Sequence, residues 1–357
     1  MIASGKTWLF SALLLLAPLP ALAADAAVPP PVTHDGAHDF DFGFGVFTTH
    51  IRRLSHPLTG STTWTEWNGT VATRKLWDGK GQLEELDITG PNGGRVQGMT
   101  LRLYNPDARQ WNLYWANSSD GLLGQPLVGE FKDGRGEFYD QEQFNGRAVL
   151  VRNVYWGITP DSYHFEQAFS ADAGKTWEPN FIASLTRTQQ AVTLPEPEAA
   201  GLSVEEHAFD WQLGNWNIHM SRLKNPLTGS TTWTPLDGTV VVNRIWGGRA
   251  NLAEINTSGP SGTLQFLSLR LYNPRSHQWS LNFAGSGDGT FGVPMFGGFK
   301  GGRGNFYDQE PYNDRYILVR FSFLDITGDS GRDEQAFSAD GGRTWEVNWI
   351  NLHKRVK

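Results

Sequence analysis

The sequence contains no cysteine, so it has neither a disulfide framework nor a thiol nucleophile, and its stability has to come from packing. It contains no basic run, and its formal net charge is −7. A phosphate backbone or an anionic membrane surface calls for a clustered positive field, so nucleic acid is not expected as a partner. Only one long apolar stretch occurs, Trp8 to Leu16, and it falls short of the roughly 20 residues that a bilayer span needs. No integral membrane span is expected. There is no His-Glu-x-x-His motif, no phosphate-binding glycine loop and no Gly-x-Ser-x-Gly elbow, so no metal or cofactor is expected. What the chain has instead is 41 Gly, 19 Pro and an aromatic share of 13%, a composition that favours strands and tight turns over helices.

Residues 1–23 read as a secretory signal, with Lys6 at its positive start and Ala21-Leu22-Ala23 as the small-residue cleavage pattern. Cleavage near Ala23 implies a secreted or periplasmic protein. Residues 24–37, with Pro29-Pro30-Pro31, read as a flexible segment. Two copies of one design follow, residues 38–187 and 207–357, joined by a Pro-rich linker over 188–206 that contains Leu194-Pro195-Glu196-Pro197. The copies agree at roughly half of their positions. Pro57 to Thr65 returns unchanged at Pro226 to Thr234, and Leu101 to Pro106 at Leu269 to Pro274. That period is far longer than a solenoid repeat or a propeller blade, so each copy is a domain in itself.

Within a copy, turn signals such as Asn92-Gly93-Gly94, Lys132-Asp133-Gly134 and Asn145-Gly146 separate short runs rich in aromatic and β-branched residues, such as Gln110 to Trp115 and Ala148 to Arg152. About eight to ten hairpin-linked strands per copy describe an up-and-down antiparallel barrel or a sandwich. Barrel closure removes exposed edges. The predicted fold class is therefore all-β, two tandem antiparallel up-and-down barrels with almost no helix. The two barrels are free to pack on each other.

Gly214-Asn215-Trp216, after a short helical turn and at the head of the first strand of copy two, resembles the Gly-x-Trp signature of the lipocalins and the wider calycin superfamily. Copy one has Gly45-Val46-Phe47 at that place. The full unit also resembles uncharacterised bacterial lipocalin-like domains of unknown function. The resemblance implies a basic residue from the end of the barrel packed over the signature ring, and Arg187 and Arg355 stand at the corresponding late positions.

Ser170-x-Asp172-x-Gly174-x-x-Trp177 and its repeat from Ser338 to Trp345 match the Asp-box of sialidases. A propeller needs several such boxes at blade spacing, so one per domain reads as a hairpin device. A repeated ionic set carries more chemistry: Arg102, Arg152, Glu85 and Glu166, matched by Arg270, Arg320, Glu254 and Glu334. These residues form either a charged constellation inside each barrel or ion pairs on its outer wall. Glu166 and Glu334 are the candidates for reaching a cavity, and with His50 and His219 they are the candidates for proton transfer. Strand phase turns His219 outward if Trp216 points in, which favours a surface role for the two histidines, and it turns Arg53 and Arg222 inward near the far end. The ligand-binding expectation is Arg53, Arg102, Tyr104, Trp115, Tyr139 and Arg152 in copy one, with Arg222, Arg270, Tyr272, Tyr307 and Arg320 in copy two. Such a set suits a small hydrophobic or amphipathic ligand whose polar or anionic group an Arg fixes. Calycin relatives that are isomerases, hydratases or lyases offer an enzymatic alternative built on the same Arg/Tyr/Glu set, and an exposed aromatic platform would instead fit a carbohydrate-binding or structural envelope protein.

Overall fold

The turn signals and period-two runs become strands in the computed structural model, which describes residues 34–190, 198–260 and 262–357. The expected signal sequence, Pro29-Pro30-Pro31 and the Leu194 to Pro197 part of the expected linker lie outside the described residues. The first repeat contains β1 (Gly45–Leu54), β2 (Trp64–Leu76), β3 (Gly81–Thr89), β4 (Arg95–Asn105), β5 (Gln110–Asn117), β6 (Leu127–Lys132), β7 (Arg135–Phe144), β8 (Arg147–Trp156), β9 (Ser162–Ser170) and β10 (Glu178–Arg187). The second contains β11 (Gly214–Leu223), β12 (Trp233–Ile245), β13 (Ala250–Gly259), β14 (Gly262–Asn273), β15 (Gln278–Gly285), β16 (Met295–Lys300), β17 (Arg303–Tyr312), β18 (Arg315–Leu324), β19 (Ser330–Ser338) and β20 (Glu346–Arg355). Each strand pairs antiparallel with the next, β1 closes on β10, and β11 closes on β20. The protein is all-β, two closed ten-stranded barrels, and its described helical segments are short 3-10 turns.

A 3-10 turn precedes each barrel and closes one end of it. Phe40, beside the turn Asp41–Gly43, is fully buried with its ring centroid 5.2 Å from Trp111, 4.8 Å from Phe131 and 5.2 Å from Tyr155. Phe209, within the turn Glu206–Gln212, repeats this against Trp279, Phe299 and Phe323 at 5.0, 4.9 and 5.2 Å. Indole donors tie the plugs down: Trp111 Nε1 donates to the Gly36 carbonyl at 2.9 Å and Trp279 Nε1 to that of Glu205 at 2.7 Å. At the same end the Arg187 guanidinium lies 4.5 Å over Phe47, and that of Arg355 lies 4.1 Å over Trp216. Both arginines also donate to carbonyls of the plug segment, Arg187 to Phe42 at 2.8 Å and Arg355 to Leu213 at 2.7 Å. Each cap thus joins a cation–π contact to backbone bonds that the turn cannot satisfy internally.

On β4 and β14 the usual alternation is inverted. Arg102 and Tyr104, like Arg270 and Tyr272, point into their barrels, while Met99, Leu101 and Leu103, like Leu267, Leu269 and Leu271, point out and are still fully buried. The outward leucines belong to one apolar cluster that takes residues from both repeats, including Tyr114 and Trp246. Polar contacts cross the same region: Arg74 Nη1 to Glu254 Oε1 at 2.6 Å, Asn112 Nδ2 to the Gly289 carbonyl at 2.9 Å, and the Phe291 amide to the Tyr114 hydroxyl at 3.2 Å. Gly121 and Gly289 pass so close to the carbonyls of Tyr272 and Tyr104 that neither has room for a Cβ, and both have positive φ. Glycine is dictated there twice over.

The Asp-box stretches are the hairpins between β9 and β10 and between β19 and β20. Ser170 Oγ accepts from the Gly174 amide at 2.9 Å and Asp172 Oδ1 from the Thr176 amide at 2.9 Å, with Gly174 at φ +84°. The Thr176 hydroxyl and amide hold the Asp172 carboxyl down to about 2, and Thr344 does the same for Asp340. These carboxylates are committed to their own turns.

Candidate functional site

The interiors of the two barrels differ. Phe40, Phe131, Phe138 and Tyr155 pack beside Arg102, whose guanidinium sits 4.5 Å over Phe40, as Phe209, Phe299, Phe306 and Phe323 pack beside Arg270; the first barrel adds the rings of Tyr163 and Phe165 where the second has Gly331 and Asp333. Arg102 is 1% exposed and donates to Gln82 Oε1 at 3.4 Å and, in a very short contact, to Glu84 Oε2. Burial alone would lower its pKa, but the charge of Glu84, with Tyr155 and Tyr163, raises it above the ordinary arginine value. The same burial pushes the Tyr155 hydroxyl up to about 12. Arg102 has its own anion.

The second barrel holds a cavity of about 200 Å³. Its walls are apolar, with Ile218, Val240, Ile255, Phe266, Phe283, Val319, Phe321 and Trp349, and its polar lining includes Arg270, Ser268, Asp333, Asn351 and His353. Asn251 and Arg270 face each other across β13 and β14, as Gln82 and Arg102 do across β3 and β4. The position two residues beyond Asn251 on that face is Ala253, where the first barrel has Glu84. Arg270 is 4% exposed; its Nη1 donates to Asn251 Oδ1 at 3.2 Å and its Nε has no partner. Burial lowers its pKa to about 10, the charge of Asp333 offsetting only part of that effect. Asp333 itself accepts from His353 Nε2 at 2.5 Å and, in a very short contact, from Asn351 Nδ2. With Nε2 bonded to a carboxylate, the neutral ring has its proton there, and Nδ1 is left buried without a partner. At the matching positions of the first barrel, Phe165, Ala183 and Leu185 take the places of Asp333, Asn351 and His353.

Asp308 and Glu310 also line the cavity, side by side on the inward face of β17. Burial and the Glu310 charge raise the Asp308 carboxyl to about 7, and burial raises Glu310 as well. Asp140 and Glu142 repeat the pair in the first barrel, Asp140 also reaching about 7. A carboxyl that is protonated in the fold but ionised in the unfolded chain makes stability fall as pH rises from about 4 to about 7. Asp308→Asn should remove part of that fall. Melting curves between pH 4.5 and 8 should show the variant gaining on the natural chain as pH rises; a constant difference would contradict it.

The other expected site residues fall into three groups. Arg102, Tyr104, Arg270 and Tyr272 point inward, with the Tyr104 hydroxyl donating to the Asp35 carbonyl and the Tyr272 hydroxyl 3.2 Å from His277 Nδ1. Trp115 shares the inward face of β5 with Trp111 and takes the space that a Cβ on Gly98 would need, while its counterpart Phe283 lines the cavity. Arg53 and Arg222 stack over Trp67 and Trp349 at 5.1 and 4.4 Å, and burial lowers the pKa of both.

The third group lies on the outer walls, which corrects the expectation that it would reach a cavity. Glu166 is 3.4 Å from Arg152, and Glu334 bonds Arg332. Arg152 and Arg320 stack over Trp177 and Trp345 at 4.8 and 4.6 Å, beside Tyr139 and Tyr307. The cause is strand phase: the inward residues of β19 are Asp333 and Gln335, so Glu334 between them must point out. Glu254 pairs with Arg74. His50 and His219 are on the outer wall too, His50 with Asn68 and Glu66 and His219 2.7 Å from Asp237.

Sequence reasoning missed Asp333, Asn351 and His353 because it followed the residues that repeat. The available signal was the opposite one, polar residues at inward positions where the copies disagree. A second cluster, Glu198, His207 and Asp210, has metal-ligand geometry. Arg244 already supplies its positive charge, 2.9 Å from Glu198 and 3.8 Å from Asp210. Among the described residues no helix is long and apolar enough to cross a membrane.

No family model matches the chain, and no curated protein does. Among solved structures the chain is similar to a protein of unknown function from the DUF3598 family of Nostoc punctiforme PCC 73102, at 12% identity and a TM-score of 0.27, with 90% of this chain and 99% of that one covered. It is also similar to a double mutant of the vaccine antigen Transferrin Binding Protein B from Haemophilus parasuis Hp5, at 8% identity and a TM-score of 0.16, with 88% and 76% covered. A third similarity, to Pseudomonas putida OprB at 11% identity and a TM-score of 0.14, covers 87% of this chain and 91% of that one. At TM-scores this low the likenesses carry no functional weight.

Proposed function

We propose that this is an exported, lipocalin-like binding protein that takes up a small hydrophobic or amphipathic molecule in its second barrel, with the first barrel as a packed partner that supports it. The observation that carries the reading is the cavity of about 200 Å³ whose apolar walls meet the buried Arg270. Apolar enclosure with a few convergent polar groups is the usual make-up of a small-molecule site. Native mass spectrometry of the protein purified from its own host should show a co-purifying small molecule, and fractionation should place the protein outside the cytoplasm. A chain that is always empty, and that takes up no apolar or amphipathic probe when offered one, would remove the reading.

A second reading rests on the buried pair formed by His353 and Asp333. An imidazole oriented by a carboxylate beside a cationic Arg270 is suited to moving a proton while an anionic intermediate is held, as an isomerase, hydratase or lyase requires. Under this reading His353→Gln would keep ligand binding and lose turnover. The carbohydrate reading has less support: Tyr139 and Trp177 are inclined at 60°, and Tyr307 and Trp345 at 61°. A sugar face cannot rest on both rings of such a pair.

A further inference from the structure

We infer that the second barrel selects carboxylates, because it has the arginine of the first barrel without that arginine's glutamate. The inference rests on the binding reading above and adds the chemical class of the ligand. Arg102 shows what a guanidinium needs in this position: Gln82 on one nitrogen and the Glu84 carboxylate on another. Arg270 keeps the first partner as Asn251 and loses the second, since Ala253 stands in the place of Glu84. Ser268, which faces Ala253 across the ladder, and Ile255, next along the same face, both line the cavity, as does Arg270. A ligand seated there reaches the guanidinium from the side that Glu84 occupies in the first barrel.

Asp333 does not take over the role of Glu84. Its two oxygens accept from Asn351 and His353, so it acts on Arg270 through space. A planar carboxylate matches a guanidinium by paired charge-assisted hydrogen bonds, which a neutral amide or alcohol does not reproduce. Size limits the rest of the ligand. A dry cavity of about 150 Å³ takes benzene, so about 200 Å³ takes a body of that order with one small head group. Benzoate and octanoate are therefore suitable probes, with benzamide and octanol as their neutral counterparts. The first barrel, with Glu84 on Arg102 and with Tyr163, Phe165 and Leu185 where the second has Gly331, Asp333 and His353, accepts none of them.

The test is isothermal titration of the full chain at pH 7 with each probe, repeated on Ala253→Glu and Ala253→Gln after circular dichroism has established that both are folded. Benzoate should bind the natural chain at least tenfold more tightly than benzamide. Ala253→Glu supplies an internal carboxylate and should weaken benzoate at least tenfold relative to Ala253→Gln, which has the same size and no charge; benzamide should not distinguish the two variants. If neutral probes bind as tightly as acids, or if the Glu and Gln variants treat benzoate alike, the carboxylate inference fails while the binding reading stands. If no probe of either kind binds, both fail. Should Ala253→Glu not fold, the acid-to-amide ratio of the natural chain decides the matter alone.

Discussion

Arg102→Met should be among the most destabilising single substitutions in the first barrel, at about 3–5 kcal/mol, because it leaves the buried Glu84 carboxylate without its partner. Arg102 is 1% exposed and the Glu84 side chain 14% exposed, so water takes over only a small part of the lost interaction. The guanidinium also lies over Phe40 and Tyr155 at 4.5 and 5.5 Å, and methionine fills that volume without the cation–π contribution. Removing both charges tells the pair apart from the packing: Arg102→Met with Glu84→Leu should recover much of the loss, since an apolar pair of similar size often replaces a buried ion pair at little net cost. Arg270→Met, with no direct carboxylate to orphan, should cost clearly less. Urea-unfolding midpoints measure all three. Equal losses for Arg102→Met and Arg270→Met would contradict the account of the two interiors.

Phe209→Ala should destabilise the second barrel by about 3–5 kcal/mol, the range for deleting a buried phenylalanine ring. The ring is 1% exposed and stands at the centre of Trp279, Phe299, Phe306 and Phe323, with Arg270 4.8 Å over its face. Its loss removes the plug from the closed end and lets water reach Arg270, so ligand affinity should fall together with the melting temperature. Phe40→Ala is the matching change in the first barrel, and it should lower stability by a similar amount without touching ligand affinity. A Phe209→Ala chain that melts within a degree of the natural one would show that the 3-10 turn is not part of the barrel core.

The barrels were legible in the sequence because their signals are local. Turn residues such as Lys132-Asp133-Gly134 and Asn145-Gly146 do stand between paired strands, β6 with β7 and β7 with β8, and the long-period repeat announced two barrels. The facing of individual residues was harder to read, for two physical reasons. First, β4 and β14 are buried on both faces, so leucines mark the inter-repeat cluster and the arginines mark the interior. That inverts the ordinary rule that polar residues point out. Secondly, a one-residue error of phase moves a side chain through the wall. Glu334 and Asp333 are neighbours on β19, yet one bonds Arg332 outside and the other bonds His353 inside. The register shift between β19 and β20 at Gln335 and Ala336 adds to the difficulty by placing an extra residue in β20.

The two copies also divide the information between them. Residues they share, such as Arg102 and Arg270 or the Asp172 and Asp340 turns, describe how the barrel is built. Residues they do not share, Glu84 against Ala253, Phe165 against Asp333 and Leu185 against His353, set the two interiors apart, and in the second barrel Asp333 and His353 line the cavity. A repeated charge is therefore weaker evidence of function here than a charge that occurs only once.

The central claim is that one barrel binds and the other does not. Native mass spectrometry of the full chain titrated with benzoate counts the sites directly. One adduct per chain, lost in Ala253→Glu and retained in Phe40→Ala, is the predicted result; two adducts, or a single adduct that survives Ala253→Glu undiminished, would contradict it.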